Sequence, residues 1–144
     1  MWNADQRHRL AFEEKLVARY MPDFRFYDRT GHTYIDGWAR TSGGANRYRL
    51  RITLPARYPY AKPQLYVISP RPMWMRGGRR TVNSLGTSHA FHCNNNGGGP
   101  VHVCYAGTWA ASMTCVTVLL RGLLWLEAYE GHLRTGRNLA DFLC

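Results

Sequence analysis

The chain has 144 residues, 45% of them hydrophobic and 13% aromatic, a balance that excludes a disordered polymer and is enough to bury a core. That length is expected to form a single domain over residues 1–144. Nineteen lysines and arginines against nine acidic residues give a net charge of +10, spread along the chain with one local cluster, Arg76-Gly77-Gly78-Arg79-Arg80, which favours general electrostatic steering over a dedicated groove.

Residues 4–20 are expected to form a helix. Leu10, Val17 and the row Phe12, Leu16 and Tyr20 make an apolar stripe at helical spacing, and Arg7, Arg9, Glu13, Glu14 and Lys15 fall on the other face. Asn3 or Asp5 supplies the cap, and Pro22 ends the helix by driving Met21 out of the helical region. Strands follow at 24–27, 34–41, 47–54 and 64–68. The third is the clearest: Tyr48, Leu50, Ile52 and Leu54 alternate with Arg49, Arg51 and Thr53, so one face is buried and one is wet. Short turns between strands predict an antiparallel meander. Pro55, Pro59 and Pro63 forbid a ladder between the third and fourth strands and fix an extended connection, with Tyr58 and Tyr60 packed back onto the sheet.

An irregular stretch runs from Pro70 to Val103. A segment of that length without regular structure usually carries function or is disordered. From about Thr114 the chain turns helical, with Val116, Leu119, Leu120, Leu123, Leu124, Leu126 and Tyr129 covering more than one face, and Gly131 or Gly136 offering the stop. Thr117, Arg121 and Gly122 interrupt this longest apolar run, so no membrane-spanning helix is expected. Residues 1–9 are polar and charged, unlike a signal peptide, and imply a cytoplasmic protein with reduced thiols. Cys93, Cys104, Cys115 and Cys144 lack the paired spacing of a disulfide framework or a zinc ribbon.

The chemistry concentrates between His89 and Trp109. A polar loop, Asn94-Asn95-Asn96-Gly97-Gly98-Gly99-Pro100, leads into Val101-His102-Val103-Cys104, which presents one thiol at the end of a β-branched run. Three readings compete: a nucleophilic Cys104, a buried structural cysteine, and a zinc site built from His89, His92, Cys93, His102 and Cys104. Trp74, Arg76, Arg79 and Arg80 suit single-stranded nucleic acid, but the cluster is short and reads better as a solvated basic loop, so nucleic acid is not the expected partner.

Taken together, the order of elements resembles the ubiquitin-conjugating enzyme family. Tyr58-Pro59-Tyr60-Ala61-Lys62-Pro63 is similar to that family's YPxxxP signature, and His92-Cys93-Asn94 to its His-Pro-Asn tripeptide with cysteine in place of proline. Cys104 stands where the thioester-forming cysteine stands, and Trp109 resembles the tryptophan that follows it. Leu124-Trp125-Leu126-Glu127-Ala128-Tyr129-Glu130 resembles bacterial members associated with anti-phage conjugation operons of the CBASS type. The resemblance implies an α+β domain with an N-terminal helix, a four-stranded antiparallel meander, a long active-site segment and a C-terminal helix. It implies a transferase without cofactor or metal. Its Cys104 would carry the C-terminus of a partner protein, a cyclic-oligonucleotide synthase or a ubiquitin-like protein, delivered with or without a separate activating enzyme. Asn94, with Asn96 as its rival, would donate to the oxyanion, and His92 or His89 would order the loop or accept a proton. A non-catalytic binding module of the same fold is the alternative.

Overall fold

The computed structural model describes residues 1–95 and 97–143. Helix α1 spans Ala4–Tyr20. Its start is a capping box: the Asn3 side chain accepts from the Gln6 backbone N–H, and the Gln6 side chain accepts from that of Asn3. Met21 leaves the helical region at φ −136° and ψ 62°, as the proline after it requires. Leu10 and Val17 are buried as expected, but Phe12 and Tyr20 are exposed, and Glu13, expected on the polar face, is fully buried. Glu13 Oε2 accepts from the Tyr58 hydroxyl and, at 2.9 Å, from the Cys115 N–H. The two terminal nitrogens of Arg9 next to it donate to the carbonyls of Ala111 and Met113, both at 2.7 Å. A carboxyl with such donors can be buried in place of an apolar side chain.

Strands β1 (Phe24–Tyr27), β2 (Tyr34–Arg40), β3 (Arg47–Thr53) and β4 (Gln64–Ser69) form the expected antiparallel meander. The sheet does not stop at four strands. β5 (Thr87–Ser88), β6 (Cys93–Asn94) and β7 (Val101–Val103) come from the stretch expected to be irregular and extend it to seven, in the order β1-β2-β3-β4-β7-β6-β5. Two- and three-residue strands have no periodicity to read; tertiary pairing makes them, β7 with β4, β6 with β7 and β5 with β6.

Helix α2, Cys115–Thr135, is capped by the Thr114 side chain and ends where Gly136 takes the left-handed conformation at φ 79°. Of the two candidate stops, Gly131 is instead helical, with the Phe142 ring against it. The helix lies on the inner face of the sheet: a Cβ on Gly122 would come within 3.2 Å of Leu50 and Leu65. Leu120 and Leu124 face outward, so α2 is less enclosed than its apolar content implied. Tyr58 is fully buried, whereas Tyr60 is exposed rather than packed on the sheet. The architecture is an α+β domain in which an N-terminal and a C-terminal helix flank an antiparallel sheet. No helix among the described residues is long and apolar enough to cross a membrane.

Candidate active site

β7 delivers the thiol. Val101 and Val103 point into the core, the Val103 position pairs with Cys93 of β6, and Cys104 follows at the strand end. Its N–H donates to the His92 carbonyl at 2.8 Å. That carbonyl also accepts from Trp125 Nε1 of α2 at 3.1 Å, and the same indole donates to the Phe91 carbonyl at 2.9 Å. Helix α2 thereby fixes the His89–His92 turn and, through it, the backbone of Cys104. On the other side, Arg121 donates to the Tyr105 carbonyl at 3.2 Å, the Tyr105 hydroxyl to the Pro63 carbonyl at 2.7 Å, and Lys62 to the Ala106 carbonyl at 2.6 Å. The proline-rich loop and the residues after Cys104 are one tied unit. Trp109 belongs to it as a strut rather than a cavity wall, its Nε1 donating to the Pro59 carbonyl at 2.8 Å.

Cys104 is exposed and opens onto a cavity of 350 Å³ lined with it by His89, His92, Tyr105, Arg121 and Trp125. The rings of His89 and His92 lie 5.1 Å apart. Burial first, and the neighbouring His89 second, hold His92 below the ordinary imidazole value, so its ring is neutral at pH 7 and can accept a proton. The other described thiols differ. Cys93 is buried and its thiol is pushed up to about 11, chiefly by that burial. Cys115 is fully buried and raised well above the usual thiol value by burial and then by Glu13. Both are protonated at neutral pH and closed to reagents. Cys144 and Asn96 lie outside the described residues.

The structure brings Cys104, His89 and His92 together but not Asn94. The Asn94 side chain accepts from the Thr87 hydroxyl at 2.5 Å, and Asn94 lines a different cavity, with Tyr66, Thr87 and His102. His102 is spoken for there: its Nδ1 lies 3.0 Å from the Asn94 carbonyl and its Nε2 2.5 Å from Gln64 Oε1. The loop is organised by a residue that the sequence did not single out, Asn95. Its amide donates to the Val82 carbonyl at 3.1 Å and to Cys93 Sγ at 3.3 Å, while its oxygen accepts from the His102 N–H at 2.9 Å.

The five residues weighed as a zinc site are not brought to one point. Among the described residues no three of His, Cys, Asp and Glu converge where they could hold a metal ion. Cys93 Sγ is enclosed with Asn95, and His102 is held by Asn94 and Gln64, so two of the five supposed ligands are committed elsewhere. Arg121 is the cavity residue that sequence reasoning passed over. Its signal was a charge inside an otherwise apolar helical run. Compared with known proteins, the chain matches no family model and no curated protein.

Proposed function

We propose that the protein is an acyl carrier of the ubiquitin-conjugating type, with Cys104 as the nucleophile. The observation that supports this is the contrast among the thiols: of the three described, Cys104 alone is exposed, and it stands on a backbone anchored at its own N–H beside a histidine-lined cavity. In the proposed reaction Cys104 Sγ attacks the activated C-terminal carboxyl of a partner protein and expels its leaving group. The resulting thioester is then attacked by an amine, which forms the amide and returns the thiol. Neutral His92 accepts the proton that the thiol or the amine gives up. Arg121 and His89, which line the same cavity, are the groups on this side able to donate to the oxyanion. Asn94, tied to Thr87, supports the loop in this arrangement. The proposed cargo is a cyclic-oligonucleotide synthase or a ubiquitin-like protein, and the proposed setting is bacterial anti-phage defence in the cytoplasm.

The test is co-expression with the proteins encoded by adjacent genes, followed by electrophoresis with and without a thiol reductant. A thioester gives an adduct that reductant removes, and an amide survives it. Cys104→Ala should give no adduct, and Cys104→Ser either none or a reductant-resistant ester. An adduct lost in Cys93→Ala but kept in Cys104→Ala would move the nucleophile. No adduct with any neighbour would favour a non-catalytic binding module.

A further inference from the structure

The sheet has a second face, opposite the one covered by α2, and its composition is unusual. At the outward positions of β2 and β3 stand Arg40, Arg47, Arg49 and Arg51, with Arg25 beside them on β1. In cross-strand register Arg25 faces Asp36, Asp36 faces Arg51, and Arg51 faces Tyr66. Asp36 is the single carboxylate among the outward positions of β1 to β4, against five arginines. It accepts from Arg49 Nε at 2.5 Å and Arg51 Nε at 2.7 Å. Both side chains are thereby fixed, and their terminal nitrogens have no hydrogen-bond partner among the described residues. Aromatic rings are interleaved with these cations. The Arg47 guanidinium lies 4.4 Å from the Trp38 ring centroid and that of Arg51 4.5 Å from Tyr34, which is itself stacked on Tyr27 at 5.1 Å. Trp38 remains 39% exposed and Tyr27 41%, so each still offers ring surface to solvent.

We infer that this face binds single-stranded nucleic acid. Fixed guanidinium forks suit phosphate oxygens, and the adjacent rings suit the faces of unpaired bases. An open sheet surface presents no helix or ribbon that could enter a duplex groove, which favours a single strand over a double helix. An acidic polypeptide would satisfy the arginines but would leave the interleaved rings without a counterpart. The inference is independent of the chemistry at Cys104, which lines its cavity with Arg121 and Trp125 of α2, the helix on the other face of the sheet.

The test uses the full chain and fluorescein-labelled 20-nucleotide oligothymidylate and oligouridylate, with a duplex of equal length as comparison, read by fluorescence anisotropy. Both single strands should bind more tightly than the duplex. If four arginines each neutralise a phosphate, affinity should fall about 50-fold between 50 and 200 mM salt. Trp38→Ala should weaken binding about tenfold or more by removing a stacking surface. Arg47→Glu should weaken it at least as much, and the Arg79→Ala/Arg80→Ala variant should bind like the parent. Thermal melting of each variant separates a lost surface from a lost fold, and the two sheet variants are independent of one another. Absence of binding at 50 mM salt, equal affinity for duplex, or loss of binding confined to the Arg79→Ala/Arg80→Ala variant would overturn the inference. Displacement of the oligonucleotide by polyglutamate at equal charge concentration would overturn it in favour of an acidic protein partner.

Discussion

Tyr58 is the residue through which the proline-rich loop, α1 and α2 are joined, and its removal tests that joint. The side chain is fully buried, its hydroxyl donates to Glu13 Oε2 and lies 3.3 Å from Cys115 Sγ, and its ring meets Trp109 at 6.4 Å. Truncating a buried aromatic to alanine costs about 3–5 kcal/mol through lost burial and the cavity left behind. For a chain of this length an unfolding entropy of about 2.1 cal/mol/K per residue converts that to a fall in Tm of about 10–17 °C. Tyr58→Phe keeps the ring and removes the hydroxyl, so Glu13 Oε2 retains the Cys115 N–H as its remaining hydrogen-bond donor. Leaving a buried acceptor short of a donor costs about 1–3 kcal/mol, a fall of about 3–10 °C. Calorimetric or circular-dichroism melts, with urea unfolding for the free energies, give both numbers. The order Ala below Phe below wild type is expected. If Tyr58→Ala melts with the wild type, the loop is not part of the core and the joint as described is wrong.

Brief alkylation of the native protein at pH 8, followed by peptide mass mapping, should modify Cys104 and spare Cys93 and Cys115; labelling of Cys93 should rise only as the pH approaches 11 or the protein unfolds. Because burial holds His92 below the usual imidazole value, its neutral form already dominates at pH 6.5, and single-turnover aminolysis of loaded Cys104 should lose rate only as pH falls through that lowered value. An inflection well above pH 6.5 that disappears in His92→Ala would contradict the assignment. Protonating this histidine also costs folding free energy, so acid should lower Tm in the wild type more than in His92→Ala. Asn94→Ala should change loading and transfer by no more than about threefold, less than 1 kcal/mol, since its side chain is engaged with Thr87 away from the thiol. A hundredfold loss confined to transfer would mean that the loop turns Asn94 toward Cys104 when the thioester forms.

Local signals determined much of the fold. Asn3 and Pro22 bound α1, the alternation of Tyr48, Leu50 and Ile52 with Arg49 and Arg51 marks β3, and Thr114 and Gly136 bound α2. Each of these depends on near neighbours in sequence, through a cap, a fixed φ or a two-residue period, and so is legible without knowing the partner element. The candidacy of Cys104 and its histidines was likewise visible in the composition of one loop. Tertiary structure alone decided where the neighbours of that thiol lie. β7 exists by pairing against β4, β6 against β7 and β5 against β6, and only their register turns Cys93 inward and leaves Cys104 in solvent. The same register sends Asn94 to Thr87 and His102 to Gln64, on another cavity from the thiol that stands nearby in sequence. Glu13 reads as a surface residue in a helical pattern, and its burial follows from donors 45 and 102 positions away. The basic and aromatic face has the same origin: arginines scattered along the sequence become one surface because three strands align them.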